Sequence, residues 1–216
     1  FQGPAHVVRE VGRGTFYLDA SSFNAFTDAK AVRDAAIALI PEINGVARLR
    51  SASFQPVSFG GGVICRSEDG SHQSVFVFAP VATGRGMFLT PVVNGANATR
   101  SRSDAEMLLE QAEKDPALRE VLHLFGLELN WANLYKMVEA VEMPFGGERG
   151  LIKMGWISKG ELKRFKHTAD NRKATGDDAR HGPNNYDPPA DPMSLEEAKA
   201  MVRKLVAAFA SNRPKP

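Results

Sequence analysis

The chain has 216 residues, 43% of them hydrophobic and 24% charged, a composition that excludes a wholly disordered, collagen-like or coiled-coil protein. Lys and Arg number 27 against 25 Asp and Glu, and the formal charge of +2 excludes a globally basic nucleic-acid binder, so any such binding has to come from a local patch. The longest strongly apolar runs, at 35–41 and 75–81, fall far short of the ~20 residues that span a bilayer, which predicts no membrane partner.

Phe1-Gln2-Gly3-Pro4 reads as the remnant of a protease site from an expression vector and is set aside from fold reasoning. A single cysteine, Cys65, cannot form an internal disulfide, and its place in the run Val63-Ile64-Cys65 reads as a packed strand position. A reducing, cytoplasmic location is the expectation.

In chain order, residues 5–97 are punctuated by glycine and rich in β-formers, whereas residues 98–216 show helical periodicity. The expected fold class is α+β: a small N-terminal antiparallel sheet with one helix, followed by a C-terminal helical bundle. In the first part, residues 15–19 form a predicted strand and residues 28–40 a predicted helix, ended by Pro41. Residues 46–54, 57–65, 75–78 and 87–93 are further predicted strands, with a turn at Glu68-Asp69-Gly70. The small, polar segment 94–102 is the expected linker.

In the second part, Ser103, Ser158 and Ser194 each stand three residues before a glutamate, the spacing of a capping box, in which hydroxyl and carboxylate satisfy unpaired backbone donors at a helix start. Asp115-Pro116 is a fourth start. Leu134, Tyr135, Val138 and Val141 form one apolar stripe; Leu195, Ala198, Val202, Leu205, Val206 and Phe209 form another. Glycines 146, 147 and 150 break the chain, and the proline-rich stretch 183–192 cannot continue a helix.

Charge divides within this part. Residues 104–148 carry ten carboxylates against three cations, and residues 149–182 carry nine cations against four carboxylates. Trp156 and Phe165 are interleaved with the cations, a combination that can follow a phosphate backbone and stack a base. The candidate phosphate-binding residues are Lys163, Arg164, Lys166, His167, Arg172, Lys173 and Arg180. The alternative is that acidic and basic helices pair with each other. His181 with Arg180 and Arg172 is the candidate catalytic set if the protein is a nuclease, with Asp177 or Asp178 orienting the imidazole. His167, Asp170, Asp177, Asp178 and His181 match no metal-ligand spacing, and neither a Walker loop, a dinucleotide fingerprint nor a nucleophile elbow is present. No metal and no cofactor are expected.

The helix through Leu134-Tyr135-Lys136, a glycine break, a basic helix through Phe165, the stretch ending Ala179-Arg180-His181-Gly182, a proline-rich loop and a final helix opened by Met193-Ser194-Leu195-Glu196-Glu197-Ala198 together resemble the HEPN-like helical domains of bacteria, within an uncharacterised bacterial protein family. The resemblance covers roughly residues 118–209. It implies nucleotide or RNA binding, frequent dimerisation, roles in defence or toxin systems and, in active members, metal-independent RNA cleavage by an Arg followed by a His after four to six residues. Here eight residues separate Arg172 from His181, three separate Arg119 from His123, and two separate Arg164 from His167. The leading expectation is therefore a non-enzymatic or weakly active protein that binds nucleotide, RNA or a protein partner through its basic segment. A metal-independent ribonuclease and an oligomerising adaptor, with the final helix as the dimer seam, are the alternatives.

Overall fold

The computed structural model describes residues 6–9, 16–51, 53–66, 73–78, 87–91, 104–180 and 186–212. The fold is α+β, and the chain divides into two compact units, 1–114 and 115–215. The division falls later than the expected boundary after residue 97, because helix α2 (Asp104–Lys114) belongs to the first unit. The expected linker 94–102, the capping serine Ser103 and the turn Glu68-Asp69-Gly70 lie outside the described residues.

In the first unit, strands β1 (His6–Arg9), β2 (Phe16–Asp19), β3 (Val57–Phe59) and β6 (Met87–Pro91) form one sheet in the order β1-β2-β6-β3. Strands β4 (Gly62–Arg66) and β5 (Gln73–Val77) form a separate antiparallel pair. Antiparallel pairing also holds for β1 and β2, but β6 runs parallel to both β2 and β3. Between β3 and β6 the chain makes the β4–β5 excursion before it returns in the same direction, as a parallel pair requires a crossover.

Helix α1 runs from Ala29 to Arg50, capped by the Asp28 carboxylate, and so continues through Pro41 and replaces the strand expected over 46–54. A proline inside a helix costs about 3 kcal/mol through its lost N–H and its clash with the preceding turn. Burial beyond it outweighs that cost: Asn44 and Val46 are buried, and the Asn44 amide donates to the Val57 carbonyl at 3.0 Å and accepts from the Val57 N–H at 2.9 Å. Helix and strand are thereby fixed in register by a hydrogen-bonded pair that no local propensity encodes. Leu18, Phe23, Val32, Ala36, Ile40 and Val63 form the core of this unit, with Cys65 half-buried against it.

The second unit is helical: α3 (Pro116–Gly126), α4 (Trp131–Glu142), α5 (Glu148–Lys153), α6 (Lys159–Ala169), α7 (Arg172–Thr175) and α8 (Leu195–Ser211). Its starts follow local chemistry. Asp115 accepts from the Ala117 and Leu118 N–H groups, Ser158 from that of Glu161, and Ser194 with Glu197 forms a complete capping box. Both expected apolar stripes face inward: Leu134, Tyr135, Val138 and Val141 of α4 are buried, as are Ala198, Val202, Leu205, Val206 and Phe209 of α8. The α8 stripe expected as a dimer seam is consumed within this unit's own core.

Among the described residues no helix is long and apolar enough to cross a membrane.

Candidate functional site

The cations of residues 149–180 fall into two groups that the sequence alone does not separate. Most are held by carboxylates or carbonyls of the same unit. Lys166, on α6, lies 2.7 Å from Glu142 at the end of α4 and 2.8 Å from Glu148 at the start of α5. Its side chain is 16% exposed and that of Glu142 10%, so this pair is shielded from salt in a way surface pairs are not. Burial works against the Lys166 ammonium, but its hydrogen bonds to Glu142 and Glu148 outweigh it and hold the group above the ordinary lysine range. Burial also pushes the Glu142 carboxyl up, and Lys166 draws it partly back. The triad closes the glycine-containing break at 146–150. There the Cα of Gly150 faces the backbone of Phe145 so closely that a Cβ would stand 1.9 Å from the Phe145 carbonyl oxygen.

Arg180 follows α7 and returns to α4. Its guanidinium carbon stands 3.9 Å from the Tyr135 ring centroid, and it donates to Glu139 at 2.9 Å. Asp170 lies 3.9 Å from its other terminal nitrogen. The Tyr135 phenol is pushed up by burial first and by the nearby Asp170 carboxylate second, with Arg180 pulling the other way.

All but one of the remaining held groups fasten the return segment 186–193 onto α6 and α7. Arg164 donates to the main-chain carbonyls of Asp191 and Pro192 and forms ion pairs with Asp191 and Glu197. The His167 Nε2 meets the Asp187 carbonyl at 3.0 Å, and the buried Asn171 amide donates to the Tyr186 carbonyl at 3.0 Å. Thr168 accepts from the Met193 N–H, Lys173 pairs with the Asp187 carboxylate at 2.8 Å, and Arg172 pairs with Asp177. Asn171 caps the short helix α7.

The second group is open. Arg149, Lys153, Lys159 and Lys163 are exposed and make no ion pair among the described residues. Arg149 and Lys153 are four apart on α5, and Lys159 and Lys163 are four apart on α6, so each pair shares a helix face. Over 149–163 the only carboxylate is Glu161. Gly155, at φ +72°, makes the turn between the two helices, beside Met154, which is 46% exposed. Lys163 is thus the one member of the expected phosphate-binding set that is also open. Arg149, Lys153 and Lys159 were not in that set, and their four-residue spacing with a single nearby carboxylate was the available signal.

The expected base-stacking aromatics are differently placed. Phe165 is fully buried between Trp131 and Tyr135, with ring centroids about 6 Å away, and is a core residue. Trp156 is half-buried edge-on to Phe145 at 4.9 Å. His181 lies outside the described residues, and among those described no cluster of His, Cys, Asp and Glu fit to hold a metal ion occurs. No family model, curated protein or solved structure matches the chain; the HEPN-like resemblance rests on the chain's own residues.

Proposed function

We propose that the helical unit is a binding module for a flexible phosphate backbone, single-stranded RNA being the form in which it is tested, and that it engages this backbone through the exposed cations of α5 and α6. The observation that supports this reading is the segregation of charge. Arg164, Lys166, Arg172, Lys173 and Arg180 are neutralised within the unit, whereas Arg149, Lys153, Lys159 and Lys163 carry their charge into solvent. Exposed ammonium and guanidinium groups release counterions from a polyanion when they bind it, which gives affinity without sequence readout. The positive end of the α6 dipole, at Lys159, adds to this field. A ribonuclease built on His181 would need Arg172 to leave Asp177, or Arg180 to leave Tyr135 and Glu139, to act on a bound phosphate.

Binding of a fluorescent oligouridylate at low salt tests the reading. Lys159→Gln with Lys163→Gln is expected to weaken binding several-fold. No binding by the unaltered protein, or binding that the double variant leaves unchanged, contradicts it, and retention of a protein partner in place of RNA points to the adaptor alternative.

A further inference from the structure

The open ridge on α6 does not end at Lys163. Lys159, Lys163 and His167 follow one another at four-residue steps along one face of the helix. At the third step the face is covered, because His167 meets the Asp187 carbonyl and packs its ring 5.4 Å from that of Tyr186. Just beyond, the Asp187 carboxylate sits on Lys173, and Asp177 sits on Arg172. In each pair the acid is the outer member: Asp187 and Asp177 side chains are 89% and 90% exposed, against 58% and 50% for Lys173 and Arg172.

From this arrangement we infer that Asp177 and Asp187 act as an internal stand-in for phosphate, neutralising Arg172 and Lys173 so that a backbone bound along the ridge must displace them to extend past His167. The inference rests on the phosphate-backbone reading above and gives that site its regulation. Exposed ion pairs contribute little to stability, so a polyanion that brings several phosphates at once can exchange with them. The other fastenings of the return segment are of a different kind. Arg164 holds main-chain carbonyls, the Asn171 amide is buried, and Thr168 bonds the Met193 N–H. These keep the segment attached while the Asp187 carboxylate moves. Lys166, little exposed and paired with both Glu142 and Glu148, takes no part in the exchange.

The test compares oligouridylate binding by the full chain with that of Asp177→Asn plus Asp187→Asn. A control variant, Glu120→Gln plus Glu128→Gln, removes two exposed carboxylates from α3 and the loop that follows it. Unpairing two exposed ion pairs is expected to tighten binding roughly tenfold in the Asp variant and much less in the control. Adding Arg172→Gln and Lys173→Gln to the Asp variant is expected to return the affinity to that of the unaltered protein, while the same two changes alone have little effect. An equal gain in the control, or a gain that survives loss of Arg172 and Lys173, overturns the inference and leaves the ridge standing. No binding by any of these proteins overturns both. Stability curves of each variant, run alongside, confirm that all are folded.

Discussion

Arg180 and Tyr135, far apart in sequence, are in direct contact: the guanidinium carbon stands 3.9 Å from the ring centroid, and the same guanidinium donates to Glu139 one helical turn further along α4. This contact brings the chain after α7 back to the bundle. It also makes Tyr135 a reporter of its own surroundings. Burial and Asp170 raise the phenol, and Arg180 and Lys166 lower it, so removing the guanidinium takes away one of the two lowering influences. Ultraviolet difference titration, with Tyr135→Phe to identify the signal, is expected to show Tyr135 ionising above an ordinary tyrosine, and higher still in Arg180→Met. A downward displacement in that variant contradicts the contact.

Lys166 is the second reporter. Replacing it by Met leaves Glu142 buried without its ammonium, and breaking a buried pair in this way costs about 3–5 kcal/mol. The pH dependence has a definite sign. Glu142 already has a raised pKa from burial, and a carboxyl raised above its unfolded value destabilises the fold while ionised. That penalty is relieved as pH falls through the folded pKa. Lys166→Met is therefore expected to recover stability relative to the unaltered protein as pH is lowered from 7 towards the ordinary glutamate range. Denaturant unfolding at several pH values measures this, and Lys166→Met with Glu142→Gln is expected not to show the recovery.

Two glycines of the candidate region are expected to respond in opposite directions. Gly150→Ala places a Cβ against the Phe145 carbonyl, so the turn at 143–145 must move, at a cost of about 1–3 kcal/mol for forced overpacking. Gly160, in the first turn of α6, has nothing within 4 Å of an added Cβ, and alanine there is expected to stabilise the protein by about 0.5–1 kcal/mol. Thermal unfolding of the two single variants measures both.

What was legible in the sequence was the local chemistry. Asp115, Ser158 and Ser194 announced their helices because a cap and its backbone partners lie within three residues. The apolar stripes of α4 and α8 announced their buried faces for the same reason. Pro41 misled, since its penalty is local whereas the burial of Val46 and the Asn44–Val57 hydrogen bonds that overcome it are tertiary. The parallel pairing of β6 with β2 and β3 is likewise a long-range choice. For the candidate site, the basic segment was legible, but its division into held and open cations was not. The acids that hold Lys166, Arg164 and Arg180 lie 24, 33 and 41 residues away in sequence, and their approach depends on how α4, α6 and α8 pack. Phe165 looked available to stack a base because periodicity alone does not say which side of α6 the bundle covers.

The salt dependence of oligouridylate binding tests the central claim most directly, comparing the unaltered protein with Arg149→Gln, Lys153→Gln, Lys159→Gln and Lys163→Gln combined. If these four cations neutralise phosphates, the slope of log affinity against log salt is expected to become shallower by about 2–3 in the variant, at roughly 0.7 per phosphate contact on a single strand. Equal affinities and equal slopes for the two proteins would contradict the account.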